Sequence, residues 1–301
     1  MKHGIHFENA TATSLGVFRA AVFALWLGLF ASSWPGLLPP VPELFQARGL
    51  WLLLPKDVLE WIIGPAGMDV LPWVFIPTVL AAALGLRPFR LWASLAFLCI
   101  LVFDGVSLGL SPFAYHAHAF ALVIAGILIF SPAADGFVLG GGKTNVREAS
   151  AYRFPLLLIT AVGLLCYTMI GVHRFARGDY RVFANEEVAF AWLINRSVSA
   201  YPDGFDFGLT VATTPWLFAL YRIGFVVSTV MEVASFACLR WRAFARIWLL
   251  FFTAFHFLSL VTMNIFFWEN TILLWLLFLP LGVWLPLRAA KALKTVTDDP
   301  R

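Results

Sequence analysis

Eight stretches of this chain run almost without charge: 14–34, 69–86, 89–110, 113–131, 154–172, 214–239, 243–266 and 270–288. Each has close to the roughly 20 residues that a helix needs to cross a bilayer. Lipid offers backbone N–H and C=O groups no partners, so a spanning segment of this length must be helical. The predicted fold is therefore an all-α integral membrane bundle of eight transmembrane helices. Composition agrees. The chain is 61% hydrophobic and 13% charged, against about 25% charged in a soluble domain. We read residues 1–301 as a single membrane domain. Its helical bundle is 14–288, its cytoplasmic loop 132–153, its outer loop 173–213 and its cytoplasmic tail 289–301. The first apolar run lacks a small-x-small cleavage site and reads as a retained span, not a signal peptide. The run "LWLLLPKDVLEWII" (50–63) is broken by Pro55, Lys56 and Asp57 and reads as an interfacial or re-entrant piece.

Orientation follows from the Lys/Arg bias of the loops. With the N-terminus inside, fourteen basic residues fall on the cytoplasmic side, among them Arg87, Arg90, Lys143, Arg147, Arg240 and Arg242, and six fall outside. An even number of spans then leaves both termini in the cytoplasm. In a bacterium the membrane is the inner one. The long outer loop carries "ANEEVAFAWLINRSV", predicted as an interfacial helix capped by Asn185, with Phe190, Leu193 and Ile194 buried. "YPDGF" (201–205) reads as a turn.

Ionisable groups within a span cost about 2.5–3.5 kcal/mol each on insertion scales, so each one calls for a reason. The candidates are Asp104, His116, His118, Arg222, Glu232, His256 and Asn264, with His173, Arg174 and Glu269 at the edge. Counting along the spans puts Asp104, His116, His118, His173, Arg174, Asn264 and Glu269 in the outer half. His256 falls near the middle, and Glu232 toward the cytoplasm. His116, His173, Arg174 and His256 are the candidate catalytic groups. Asp104, His118, Asn264 and Glu269 are the candidate ligand-binding groups. Arg19 and Glu232 are expected to form a structural ion pair.

Plainer readings stand beside these. Asp104 pairs with Arg222, or it lines an outer pocket. His256 makes a helix-to-helix hydrogen bond, or it handles a ligand or proton, as a near-neutral imidazole can. His116 and His118 are wetted by headgroups, or one of them faces a pocket; residues two apart on a helix do not share a face. His173 and Arg174 anchor to lipid phosphate, or they rim the pocket. Cys99, Cys166 and Cys238 sit in apolar runs as packing residues. No zinc spacing is present and no metal site is expected. The basic residues are scattered, which excludes a nucleic-acid patch.

In order along the chain, several stretches resemble the horizontally transferred transmembrane (HTTM) domain family, bacterial relatives of the membrane part of vitamin K-dependent γ-glutamyl carboxylase. They are "SLGVFRAAVFALW", "YHAHAFALVIAGILIFSPAADGF", "YTMIGVHRFARGDY" and "TVMEVASFACLRWRAFARIWLLFFTAFH". The likeness extends over most of residues 14–285. It implies a quinone of the vitamin K type as cofactor and carboxylation of glutamate in a peptide as the reaction. The essential base lysine of the carboxylases falls on Arg174, with His173 beside it. Arginine stays charged in proteins and cannot act as that base. The expected function is therefore binding of, or action on, a quinone-, lipid- or peptide-like ligand at the outer face, without true γ-glutamyl carboxylation. The alternative is a non-catalytic partner, in the maturation of or immunity to a secreted peptide or in a membrane complex. A transporter ranks last, since neither an inverted repeat nor a broken helix pair is visible.

Overall fold

The computed structural model describes residues 10–33, 45–47, 49–110, 118–139, 147–177, 185–199, 204–265 and 267–278. Among them every regular element is helical. The helices are α1 (Ala12–Ser33), α2 (Lys56–Ile63), α3 (Pro65–Leu84), α4 (Phe89–Leu110), α5 (Ala119–Phe130) and α6 (Ala149–Arg177). They continue with α7 (Glu186–Ser199), α8 (Phe207–Thr213), α9 (Pro215–Val233), α10 (Arg242–Met263) and α11 (Trp268–Phe278). Short 3-10 helices occupy Gly49–Leu53 and Ala234–Leu239.

Six helical segments are long and apolar enough to cross a membrane: Ala12–Ser32, Pro65–Leu84, Phe89–Leu110, Ala149–Arg177, Pro215–Leu239 and Arg242–Met263. The chain is thus a multi-pass helical membrane protein. The expected fourth span appears as the shorter apolar helix Ala119–Phe130. The expected eighth is described only as far as Phe278. The interrupted run at 50–63 resolves into the 3-10 helix and α2, which break at Pro55. The 140–146 part of the cytoplasmic loop, most of the 201–205 turn, His116 and the tail lie outside the described residues.

The described residues fall into two compact units, 10–159 and 160–278, with the division inside α6. In the first, α1 buries Leu15, Phe18, Arg19, Val22, Phe23, Trp26, Leu29 and Phe30. Their three- and four-residue spacing makes one helical stripe. Phe30 stacks on Phe75 at 4.2 Å, and Phe103 meets both rings edge-on or tilted. α3 begins with Pro65 at its first turn, where no intrahelical N–H is missed. It ends on Gly85, whose φ of 69° is left-handed. The Gly85 N–H reaches Ala82 O and the Leu86 N–H reaches Ala81 O, a Schellman stop that glycine enters without strain.

In the second unit Trp248 ties the end of α9 to the start of α10. Its indole N–H donates to Met231 O at 3.0 Å and to Ser235 Oγ at 3.1 Å. Around it pack Leu164, Tyr167, Cys238, Leu249, Phe252 and Leu274. α7 starts as predicted, with Asn185 Oδ1 accepting the Val188 N–H. Its buried face is Ala189, Leu193 and Ser197, whereas Phe190 is 42% exposed. The expected burial of Phe190 fails because α7 packs through small residues. Gly208 of α8 comes so close that an added Cβ would strike Ser197 Oγ and Thr262 O.

Candidate functional site

Arg19 is the most deeply buried charge among the described residues, at 0% exposure. Its guanidinium is not paired with Glu232 as expected. Nη1 donates to Ala133 O at 2.7 Å, and Nη2 donates to Ala83 O at 3.0 Å and Phe137 O at 2.6 Å. Ala83 O belongs to the last turn of α3, where carbonyls lack helical partners and the helix dipole is negative. Phe137 adopts a φ of 51°, an uncommon conformation for a bulky residue, and its carbonyl is one of the three that Arg19 takes. Gly85 is also needed here, because a Cβ would strike the Arg19 guanidinium. Arg19 is thus a clamp between helix end and turn.

Glu232 takes a different cation. Arg174 Nη1 donates to both of its carboxylate oxygens, at 2.8 and 2.9 Å. Glu232 is almost wholly buried and Arg174 a quarter exposed. The Arg174 guanidinium also lies 5.0 Å over the ring of Phe225. Gly171, one turn before Arg174, makes the approach possible. A Cβ there would meet Val233 N at 2.7 Å and Glu232 Cβ at 2.8 Å. The residue count had placed Arg174 and Glu232 in opposite halves of the bilayer, and the contact overrides it. α6 has 29 residues, well beyond the roughly 20 a span requires, so span length alone does not fix where its end lies. His173, by contrast, is exposed next to Arg174.

Asp104 does not pair with Arg222. Its Oδ1 lies 2.8 Å from His118 Nδ1. Arg222 instead points Nη1 at Glu186 Oε2, at 3.4 Å. Asp104 is buried on α4, and His118, the residue before α5, keeps a side-chain exposure of 22%. The His118 ring meets Trp26 edge-on at 5.9 Å. A carboxylate at Nδ1 fixes the orientation of an imidazole and leaves Nε2 as its working atom. Among the described residues this is the carboxylate–imidazole arrangement that other chemistry could use.

His256 makes the helix-to-helix contact considered above, its Nδ1 lying 2.7 Å from Thr271 Oγ1 of α11. Asn264 ends α10 with a left-handed φ of 54°. Its side chain clamps one backbone unit: Oδ1 accepts the Phe205 N–H at 2.7 Å, and Nδ2 donates to Phe205 O at 3.0 Å. It therefore serves the fold. Glu269 is buried in the first turn of α11, where the positive end of the helix dipole favours a carboxylate.

Asp104 and His118 belong to one unit, and Arg174, Glu232, His256, Asn264 and Glu269 to the other. Sequence reasoning missed Thr271, Gly171, Trp26 and the carbonyl partners of Arg19. Of these only Gly171 left a signal. It lies four residues after Tyr167 and three before Arg174, hence on their helix face. Among the described residues no three His, Cys, Asp or Glu side chains gather as a metal ion would require. Compared with known proteins, the chain matches no family profile, no curated protein and no solved structure.

Proposed function

We propose that this chain is an HTTM-like membrane protein that binds a quinone-, lipid- or peptide-like ligand at Asp104 and His118 and does not carboxylate glutamate. The observation that carries the binding reading is the 2.8 Å contact between Asp104 Oδ1 and His118 Nδ1. It orients a partly exposed imidazole against an indole inside a membrane protein, where an unexplained charge is expensive. Ligand and protein then share one hydrogen bond at His118 Nε2, on the partly exposed ring that Asp104 orients. The Arg174–Glu232 pair supports the exclusion of carboxylation. A permanently charged guanidinium held by a carboxylate has no lone pair to offer as a base. The order of basic loops supports placement in a bacterial inner membrane with both termini cytoplasmic.

The test is purification in mild detergent followed by mass spectrometry of co-extracted small molecules. A stoichiometric ligand that is lost from His118→Ala and retained by a distant surface variant bears the reading out. Extracts that are identical for wild type and His118→Ala refute it. Vitamin K hydroquinone-dependent incorporation of labelled CO2 into a glutamate peptide would refute the exclusion of carboxylation.

The same Arg174–Glu232 pair favours a second reading, a non-catalytic partner of a secreted peptide or membrane complex. Co-purification of a stoichiometric protein, with no small molecule, selects it.

A further inference from the structure

Two of the membrane-length segments, Pro215–Leu239 and Arg242–Met263, follow one another with only Arg240 and Trp241 between them. The connection closes on itself. The Arg240 and Trp241 N–H groups both donate to Ala237 O at 3.0 Å, and Trp241 O accepts the Ala245 N–H, also at 3.0 Å, as α10 begins. Under the turn Ser235, Cys238 and Trp248 are fully buried, and the Trp248 indole holds Ser235 Oγ. Two spans that meet without a loop keep what lies between them at the membrane boundary.

Three arginines sit at this turn. Arg240, Arg242 and Arg246 are all exposed, as is the indole of Trp241. Arg242 and Arg246 are one helical turn apart and are neighbours on the surface of α10. No Asp or Glu occurs between Glu232 and Glu269, and both of those are buried. The turn therefore concentrates positive charge at the depth of lipid headgroups, where tryptophan also settles. A guanidinium matches a phosphate through two parallel N–H groups. From the arginines toward the membrane interior, α10 exposes Ala243, Ile247, Leu250, Ala254 and Phe257. Their spacing of four, three, four and three residues is one helix face. Arg246 lies one turn before Leu250 and so stands at the head of that face.

We propose that this turn binds an anionic phospholipid. Its phosphate lies against Arg240, Arg242 and Arg246, and an acyl chain runs down the face from Ala243 to Phe257. A soluble anion would need only the charge; the apolar track leading away from it fits a lipid. The site lies in the second unit and stands or falls separately from Asp104 and His118.

The test titrates the full chain in dodecyl maltoside with dioleoylphosphatidylglycerol and with dioleoylphosphatidylcholine, and native mass spectrometry counts bound lipid. Wild type is expected to bind phosphatidylglycerol at least about tenfold more tightly, at about fivefold for each arginine. Arg240→Gln/Arg242→Gln/Arg246→Gln should lose that preference. Arg87→Gln/Arg90→Gln/Arg153→Gln, which removes the same charge from the first unit, should keep it. Should the first triple variant not fold, Arg240→Gln alone, outside both spans, is expected to lose about fivefold. Equal affinity of wild type for the two lipids overturns the proposal. So does a preference that survives in the folded Arg240, Arg242 and Arg246 variant, or one lost equally in the charge-matched control. Displacement of phosphatidylglycerol by inorganic phosphate would assign the turn to a soluble anion and overturn it as well. Co-purification of a stoichiometric protein that the Arg240, Arg242 and Arg246 variant releases would assign it to a protein partner, with the same consequence.

Discussion

Arg174 and Glu232 form one ion pair, buried at the carboxylate and a quarter exposed at the guanidinium, in which a single guanidinium nitrogen reaches both oxygens of the carboxylate at 2.8 and 2.9 Å. On the reading proposed above, the position of the carboxylase base is thereby occupied by a charge that is already neutralised. Removing one partner strands the other. Glu232→Ala and Arg174→Ala are each expected to destabilise the fold by about 3 kcal/mol. The double variant should lose clearly less than the sum, because neither charge is then left alone. Thermal unfolding in detergent of the four proteins completes the cycle, and strict additivity would argue against the pair. Arg174→Lys places a lysine there but leaves it facing Glu232, so on the proposed reading no carboxylation should appear.

Gly171 sets how closely α6 approaches the end of α9. Gly171→Ala places a methyl group within 2.7 Å of Val233 N, and backbone cannot move aside as a side chain tip can. A loss of about 1–3 kcal/mol is expected. Gly171→Ala should also weaken the coupling measured between Arg174 and Glu232. Unchanged stability would mean that the helices pack more loosely than described.

Arg19 satisfies three carbonyls that have no better donor. Arg19→Met should cost more than any exposed arginine substitution, since the last turn of α3 and the 131–137 turn lose their common donor. Gly85→Ala meets two obstacles, a φ of 69° and the Arg19 guanidinium. We expect a loss of more than about 1 kcal/mol. Gly85→Asn, which eases only the backbone term, should rescue little. Folded yield and melting temperature of the three variants check the order; an Arg19→Met protein as stable as wild type would remove the clamp.

Asn264 combines a left-handed cap with a clamp on Phe205. Asn264→Gly keeps the conformation and loses two hydrogen bonds, each worth about 1 kcal/mol. Asn264→Ala loses the same bonds and adds left-handed strain of about 1–2 kcal/mol. Alanine should therefore be the worse replacement. The reverse order would show that the residue does not sit in the left-handed region.

Much of this fold is legible in one dimension, for identifiable reasons. Apolar runs of membrane length must be helical because lipid satisfies no backbone group. The breaks at Pro55, at Gly85 and at the Asn185 cap are set by the conformations those residues allow or the backbone groups they satisfy. The list of expensive polar residues was also legible, since burial in a span marks them whatever their partners are. Their partners were not. Opposite charges at matching depths suggest Glu232 for Arg19 and, as one of two readings, Arg222 for Asp104. The tertiary structure gave Arg19 three backbone carbonyls, which no side-chain pattern encodes, and gave Glu232 to Arg174 across the gap that Gly171 leaves open. It set His118 against Asp104 and His256 against Thr271. Helix formation is local, so sequence spacing determines it. Pairing depends on which helix faces meet and how closely their backbones approach, and packing in three dimensions alone decides that.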